Sequence, residues 1–92
     1  MFNFDARNLS MTSIAVKIVA FGITKELLGD KHIELIIPSG TIESLRQELI
    51  NKNPKFSMLP SLRFAVNDEF VENDFNLNNQ DEVVLIPPVS GG

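Results

Sequence analysis

The end of the 92-residue chain, Pro87-Pro88-Val89-Ser90-Gly91-Gly92, carries two residues without a side chain and, beyond them, the carboxylate of Gly92. Paired glycines let a backbone enter a channel too narrow for a β-carbon and adopt φ values closed to other residues. Pro87 and Pro88 each fix φ near −65° and lack an N–H, so a sheet ladder is expected to end there and the chain to leave extended. At about 3.3 Å per residue this exit spans roughly 20 Å, which lets the carboxylate reach a site buried in another protein. Frayed termini share the composition, so the meaning of the dipeptide depends on what positions it.

Other residues offer less chemistry. His32 is the single histidine and has no companion at metal-ligand spacing, so no metal site is expected. Glu69, Glu72 and Asp74 cluster after a turn signal and read as a solvated edge that discourages strand pairing. Ser90 has no base partner in the tail, and no glycine-rich phosphate loop is present, so no nucleotide site is expected on this chain. Cysteine is absent, which excludes a disulfide framework, a thiolate metal site and a cysteine nucleophile. Any sulfur chemistry must use sulfur brought from outside. A net charge of −4 provides no basic stripe for a phosphate backbone, so nucleic acid is not an expected partner. No apolar run approaches the ~18 residues of a membrane span, and Met1 to Arg7 lack the pattern of a secretory signal; no membrane role is expected and a cytoplasmic location is.

The elements that must position the tail follow from periodicity. Residues 1–13 show no sustained pattern and read as a flexible N-terminal extension. Ile14 to Phe21 alternates as a strand, with Val16, Ile18 and Ala20 on one face and Lys17, Val19 and Phe21 on the other. Thr24 to Leu28 before Gly29 fits one helical turn with a glycine stop. His32 to Ile37 is a second strand, and its short link to the first predicts antiparallel pairing. Thr41 is a good N-cap for a helix from Ile42 to Asn53, with Ile42, Leu45, Leu49 and Ile50 in one stripe, Glu43 in the first turn and a break at Pro54. Leu62 to Val66 and Glu69 to Val71 flank Asn67-Asp68, a hairpin turn. Glu82 to Ile86 is almost wholly apolar, as in the interior of a sheet. The spacing predicts an α+β domain over residues 14–92: a mixed sheet of four to five strands with one main helix packed across it.

Val16-Lys17-Ile18-Val19-Ala20-Phe21, Lys25-Glu26-Leu27-Leu28-Gly29, Thr41-Ile42-Glu43-Ser44-Leu45-Arg46, Ala65-Val66-Asn67 and Asp81-Glu82-Val83, followed by Ile86-Pro87-Pro88-Val89-Ser90-Gly91-Gly92, occur in an order that resembles the small, sulfur-carrying subunits of molybdopterin synthase. The resemblance covers residues 14–92 and implies the ubiquitin-like β-grasp fold. Two positions depart from the usual pattern: Gln80 stands where a glycine precedes the Asp-Glu pair, and Lys25 where the first turn carries arginine. The resemblance also implies a chemistry. An ionised C-terminal carboxylate is a poor acyl electrophile and must be activated. A ubiquitin-activating-type adenylyltransferase would use ATP and Mg to adenylate Gly92, and a sulfur donor protein would convert the adenylate to a thiocarboxylate. The tail would then enter the large subunit of a heterotetrameric synthase and give sulfur to cyclic pyranopterin monophosphate. On this reading the chain is a sulfur-donating, non-catalytic subunit that binds no cofactor of its own, with the catalytic groups on its partner.

With Lys17 and Arg63 as solvent-facing markers, parity places Val19, Phe21, Val84 and Ile86 on an exposed sheet face, with Phe70 nearby on the hairpin. Apolar groups clustered beside a reactive tail read as an interface. The resemblance assigns Phe21, Phe70 and Ile86 to the partner contact, and Lys25 is a candidate to pair with a partner carboxylate. Two alternatives share the Gly-Gly end or the fold: a ubiquitin-like protein modifier or a sulfur carrier for thiamine or tRNA thiolation, and a β-grasp binding module with an incidental tail.

Overall fold

A computed structural model describes residues 13–88. The expected N-terminal extension up to Thr12, and Val89, Ser90, Gly91 and Gly92 of the tail, lie outside the described residues.

The alternation at the start of the domain forms strand β1 (Ile14–Ala20), which pairs antiparallel with β2 (His32–Ile37) in a register that sets Lys17 opposite Glu34 and Val19 opposite His32. Between them, helix α1 (Ile23–Leu28) ends on Gly29 at φ 86°, a left-handed cap that suits glycine. Helix α2 (Ile42–Lys52) buries Ile42, Leu45 and Leu49 on the stripe read from sequence, with Ile50 half-buried beside them. The Thr41 hydroxyl accepts the Ser44 N–H at 3.1 Å. Two further donors of that first turn go to the segment after the hairpin: the Ile42 and Glu43 N–H groups meet the Phe75 and Asn73 carbonyls at 3.1 and 3.0 Å. A helix start leaves such donors without intrahelical partners, so here they serve to pin a loop.

Pro54 ends the α-helix as expected, but the chain continues as a 3₁₀ helix (Pro54–Met58) that periodicity did not foresee. Its anchor is Asn53, whose side chain accepts the Lys55 N–H and donates to the Leu27 carbonyl; Phe56 is buried in consequence of that tight turn. Strands β3 (Arg63–Val66) and β4 (Glu69–Val71) form the hairpin, with Asn67 and Asp68 both at positive φ as a two-residue primed turn requires. Strand β5 (Glu82–Ile86) then runs parallel to β1 and antiparallel to β3.

The sheet order is β2-β1-β5-β3-β4. The last strand is therefore central, which is why it is nearly all apolar. One face of the sheet, with Val16, Ile18, Ala20, Ile37, Phe64, Val66, Val83 and Leu85, joins the α2 stripe, Phe56, Leu62 and Leu77 in a single core. The other face carries no helix. This mixed five-stranded sheet with one main helix is the expected α+β arrangement.

Candidate functional site: the open sheet face and the tail exit

Register builds the open face in cross-strand rows. One row is polar: Glu34, Lys17 and Glu82 lie side by side on β2, β1 and β5. The next is His32, Val19, Val84, Ala65 and Phe70, apolar from Val19 onward and crossing the sheet from β2 to β4. Beyond it Ile86 pairs with Arg63, and Phe21 follows the end of β1. The face thus changes from charged to apolar toward the end from which β5 delivers the tail.

Of the residues read from sequence as a partner contact, Phe21 (43%) and Phe70 (54%) are exposed and Ile86 is half-buried. Lys25 is exposed on α1. Val84 is half-buried on this face. Val19 requires a correction: it lies on the expected face but is only 7% accessible, because β1 is flanked on both sides and His32 and Val84 stand in register beside it. An interior strand shields its own open-face residues; the end of β1 and the edge hairpin leave Phe21 and Phe70 bare.

Three features hold the exposed aromatic rings and the exit in place. The buried Thr24 hydroxyl accepts the Phe21 N–H at 2.9 Å and donates to the Phe21 carbonyl at 2.6 Å, fixing the backbone from which the ring projects. Gly22 adopts φ 56°, ψ −132°, a conformation that excludes a β-carbon, and one built there would stand 3.4 Å from Cγ of Pro87. The loop after β1 and the first proline of the tail are therefore close neighbours. On the other side, Ser61, Arg63, Ile86, Pro87 and Pro88 line a shallow hollow.

Sequence reasoning missed two cation contacts. The Arg63 guanidinium stacks on the Phe70 ring at 3.9 Å from its centroid, and the Lys31 ammonium sits 5.0 Å from that of Phe21. The first was accessible from the hairpin register: with Ala65 opposite Phe70, Arg63 is its diagonal neighbour, within reach of a long side chain. Among the described residues no group of three or more His, Asp or Glu could hold a metal ion. His32 is exposed at the start of β2, and Glu69, Glu72 and Asp74 are exposed on and after β4. No helix of the described residues is long and apolar enough to cross a membrane.

A small body with an apolar face beside the start of its tail has the form of a docking module. Residues 18–92 match the model of the ThiS family. The chain belongs to that family. Among its relatives are molybdopterin synthase sulfur carrier subunits from Arabidopsis thaliana, 32% identical over 88% of this chain and 86% of the relative, and from Escherichia coli (strain K12), 32% identical over 84% of this chain and 99% of the relative. At this identity and coverage the chain groups with the molybdopterin synthase sulfur carrier subunits. A solved complex of subunits 1 and 2 of the molybdopterin-converting factor from Helicobacter pylori contains a similar chain, at TM-score 0.59 and 28% identity, covering 86% of this chain and all of that one. The small archaeal modifier protein 1 of Haloferax volcanii shares the ubiquitin-like β-grasp fold at TM-score 0.71 and 20% identity, covering 85% and 99%.

Proposed function

We propose that this chain is the sulfur carrier subunit of a molybdopterin synthase in the cytoplasm, with the carboxylate of Gly92 as the group that carries sulfur. The observation that carries the reading is where β5 ends: Ile86 pairs with the Arg63 that stacks on exposed Phe70, and Pro87 lies against Gly22, next to exposed Phe21, so the face that would dock adjoins the start of the tail. Relatives named as sulfur carrier subunits, and a neighbour solved with its second subunit, support that assignment.

The steps follow from the carboxylate. At neutral pH it is an anion, and an adenylyltransferase partner converts it, with Mg-ATP, to an acyl-adenylate and pyrophosphate. The terminal sulfur of a donor persulfide attacks the acyl carbon and expels AMP. A second thiol then cleaves the sulfur–sulfur bond, which leaves a thiocarboxylate on Gly92 and oxidises the donor to a disulfide. Docked on the large subunit through Phe21, Phe70 and Ile86, with Lys25 at the rim, the small subunit presents that sulfur to cyclic pyranopterin monophosphate. Pro87, Pro88, Val89, Ser90 and Gly91 provide the reach, and Gly91 and Gly92 the slimness, for the tail to pass between partner side chains. The catalytic groups belong to the large subunit, with which the chain forms a heterotetramer.

Intact-mass measurement after incubation with Mg-ATP, the adenylyltransferase and a persulfide donor is expected to show one oxygen-for-sulfur exchange, absent when Gly92 is deleted. Deletion is also expected to abolish sulfur transfer in a reconstituted synthase. Lysine-linked adducts without that exchange would identify a protein modifier and overturn the reading.

A further inference from the structure

The open face of this acidic chain is electrostatically divided, and the division falls at the docking end. Its carboxylates, Glu34 and Glu82, flank Lys17 in the polar row. Glu82 is four residues before Ile86, about 13 Å along a strand, beyond the ~8 Å screening length at physiological salt. Around the apolar end the charges that stand over the exposed rings are both positive: Arg63 on Phe70 and Lys31 on Phe21. Of the carboxylates nearby, Glu72 follows β4 at the parity of Phe70 and lines a hollow with Arg63, whereas the others point elsewhere or cancel. Glu69 alternates with Phe70 and faces away from the open side, and Glu26 adjoins Lys25 on α1.

Stacking changes what Arg63 can do. Its guanidinium is held 3.9 Å above an aromatic face at the edge of the exit hollow, so its long side chain is already ordered and binding loses less of its rotamer freedom. Among the described residues no carboxylate forms an ion pair with it, Glu72 in the adjoining hollow included, so the fork of N–H donors can take an outside acceptor. A chain of net charge −4 whose open-face aromatic rings hold their cations at this end would repel an acidic partner at long range and yet meet it with the complementary sign at contact.

We infer that Arg63, seated on Phe70, is a specificity-determining contact for a partner surface that carries carboxylates around an apolar hollow, and that this surface belongs to the synthase large subunit. The inference rests on the function proposed above. Arg63 selects the partner by charge, while Phe21, Ile86 and Phe70 supply the buried area.

The test measures association of the full chain with the large subunit from the same source, by stopped flow or surface plasmon resonance, across a salt series. Arg63→Glu and Lys52→Glu change net charge equally, but Lys52 lies at the exposed end of α2, on the helix side of the sheet. Arg63→Glu is expected to slow association at least tenfold at low salt and to shift the salt dependence toward faster binding as salt rises, with Lys52→Glu within twofold of the parent. Arg63→Lys keeps the charge without the planar fork and should retain the salt dependence with weaker affinity. Arg63→Leu keeps apolar cover and controls for folding, checked by circular dichroism. Equal rates for Arg63→Glu and Lys52→Glu, or faster binding by Arg63→Glu, would overturn the inference while leaving the function intact. Failure of the parent chain itself to bind would overturn the function and this inference together.

Discussion

Gln80 occupies a backbone conformation, φ 72°, that costs an L-residue roughly 1–2 kcal/mol. Asn67 and Asp68 also have positive φ, but their short side chains tolerate it and a hairpin turn demands it. Gln80 has no such excuse in its side chain. It is held there because its N–H donates to the Ala15 carbonyl at 2.6 Å, while the next residues start β5 through the Lys17 N–H to Asp81 carbonyl bond at 2.8 Å. The turn is dictated by the register of β5 on β1, and the exposed side-chain bond from Gln80 to Glu34, 3.3 Å, offsets little of the strain. Glycine at this position, the residue the family resemblance led one to expect, relieves the strain at an entropic cost of about 0.5–1 kcal/mol. Gln80→Gly is therefore expected to stabilise the domain by about 0.5–1 kcal/mol, read as a rise in Tm of roughly 2–8 °C by calorimetry. A lower Tm would show that the glutamine side chain contributes more than its exposed geometry indicates.

Helix α2 shows how an element on the far side of the sheet still shapes the open face. Its first turn is capped by Thr41 and closed by carbonyls of the segment that leads to β5. Leu77 also donates its N–H to the Gly40 carbonyl, and Arg46 reaches the Asn73 side chain at 3.1 Å. Capping, loop path and β5 register are thus one cooperative unit. Thr41→Ala should cost about 1 kcal/mol, seen as a lower urea midpoint at unchanged m, and Thr41→Ser should recover most of it. The cap, the α2 stripe, the hairpin turn and the central place of β5 were all legible in sequence, because each is written in local spacing or in a strand buried on both sides. The 3₁₀ helix was not: what makes it is the Asn53 side chain bridging to Leu27, a contact 26 residues away that no local period encodes. Of the candidate site, parity from Lys17 and Arg63 picked out the sheet face that carries no helix. It could not separate shielded Val19 from bare Phe70, since that depends on which strands are interior, nor reveal that Arg63 is stacked.

For the whole molecule, the division of labour between body and tail makes a separable expectation. Phe21 and Phe70 are exposed, so the core of Val16, Ile18, Phe64, Leu45, Leu49 and Leu85 does not depend on them. Exposed positions away from packing contacts change stability by about 0.5 kcal/mol, although Phe70 also supports Arg63 and so sits at the upper end of that range. Aromatic anchors at the centre of an interface, by contrast, cost about 2 kcal/mol or more each when removed. The pair Phe21→Ser and Phe70→Ser should therefore leave the thermal transition nearly unchanged while weakening affinity for the large subunit by about a hundredfold or more, measured by titration calorimetry. Because the tail is untouched, the same variant should still present Gly92 at high partner concentration, so that sulfur transfer in the reconstituted synthase recovers as the large subunit is raised. Deleting Gly92 should do the reverse, leaving docking near normal and transfer absent at every concentration. If the aromatic variant bound as tightly as the parent, the open face would not be the docking surface, and the proximity of Phe21, Gly22 and Pro87 would serve only to direct the tail away from the sheet.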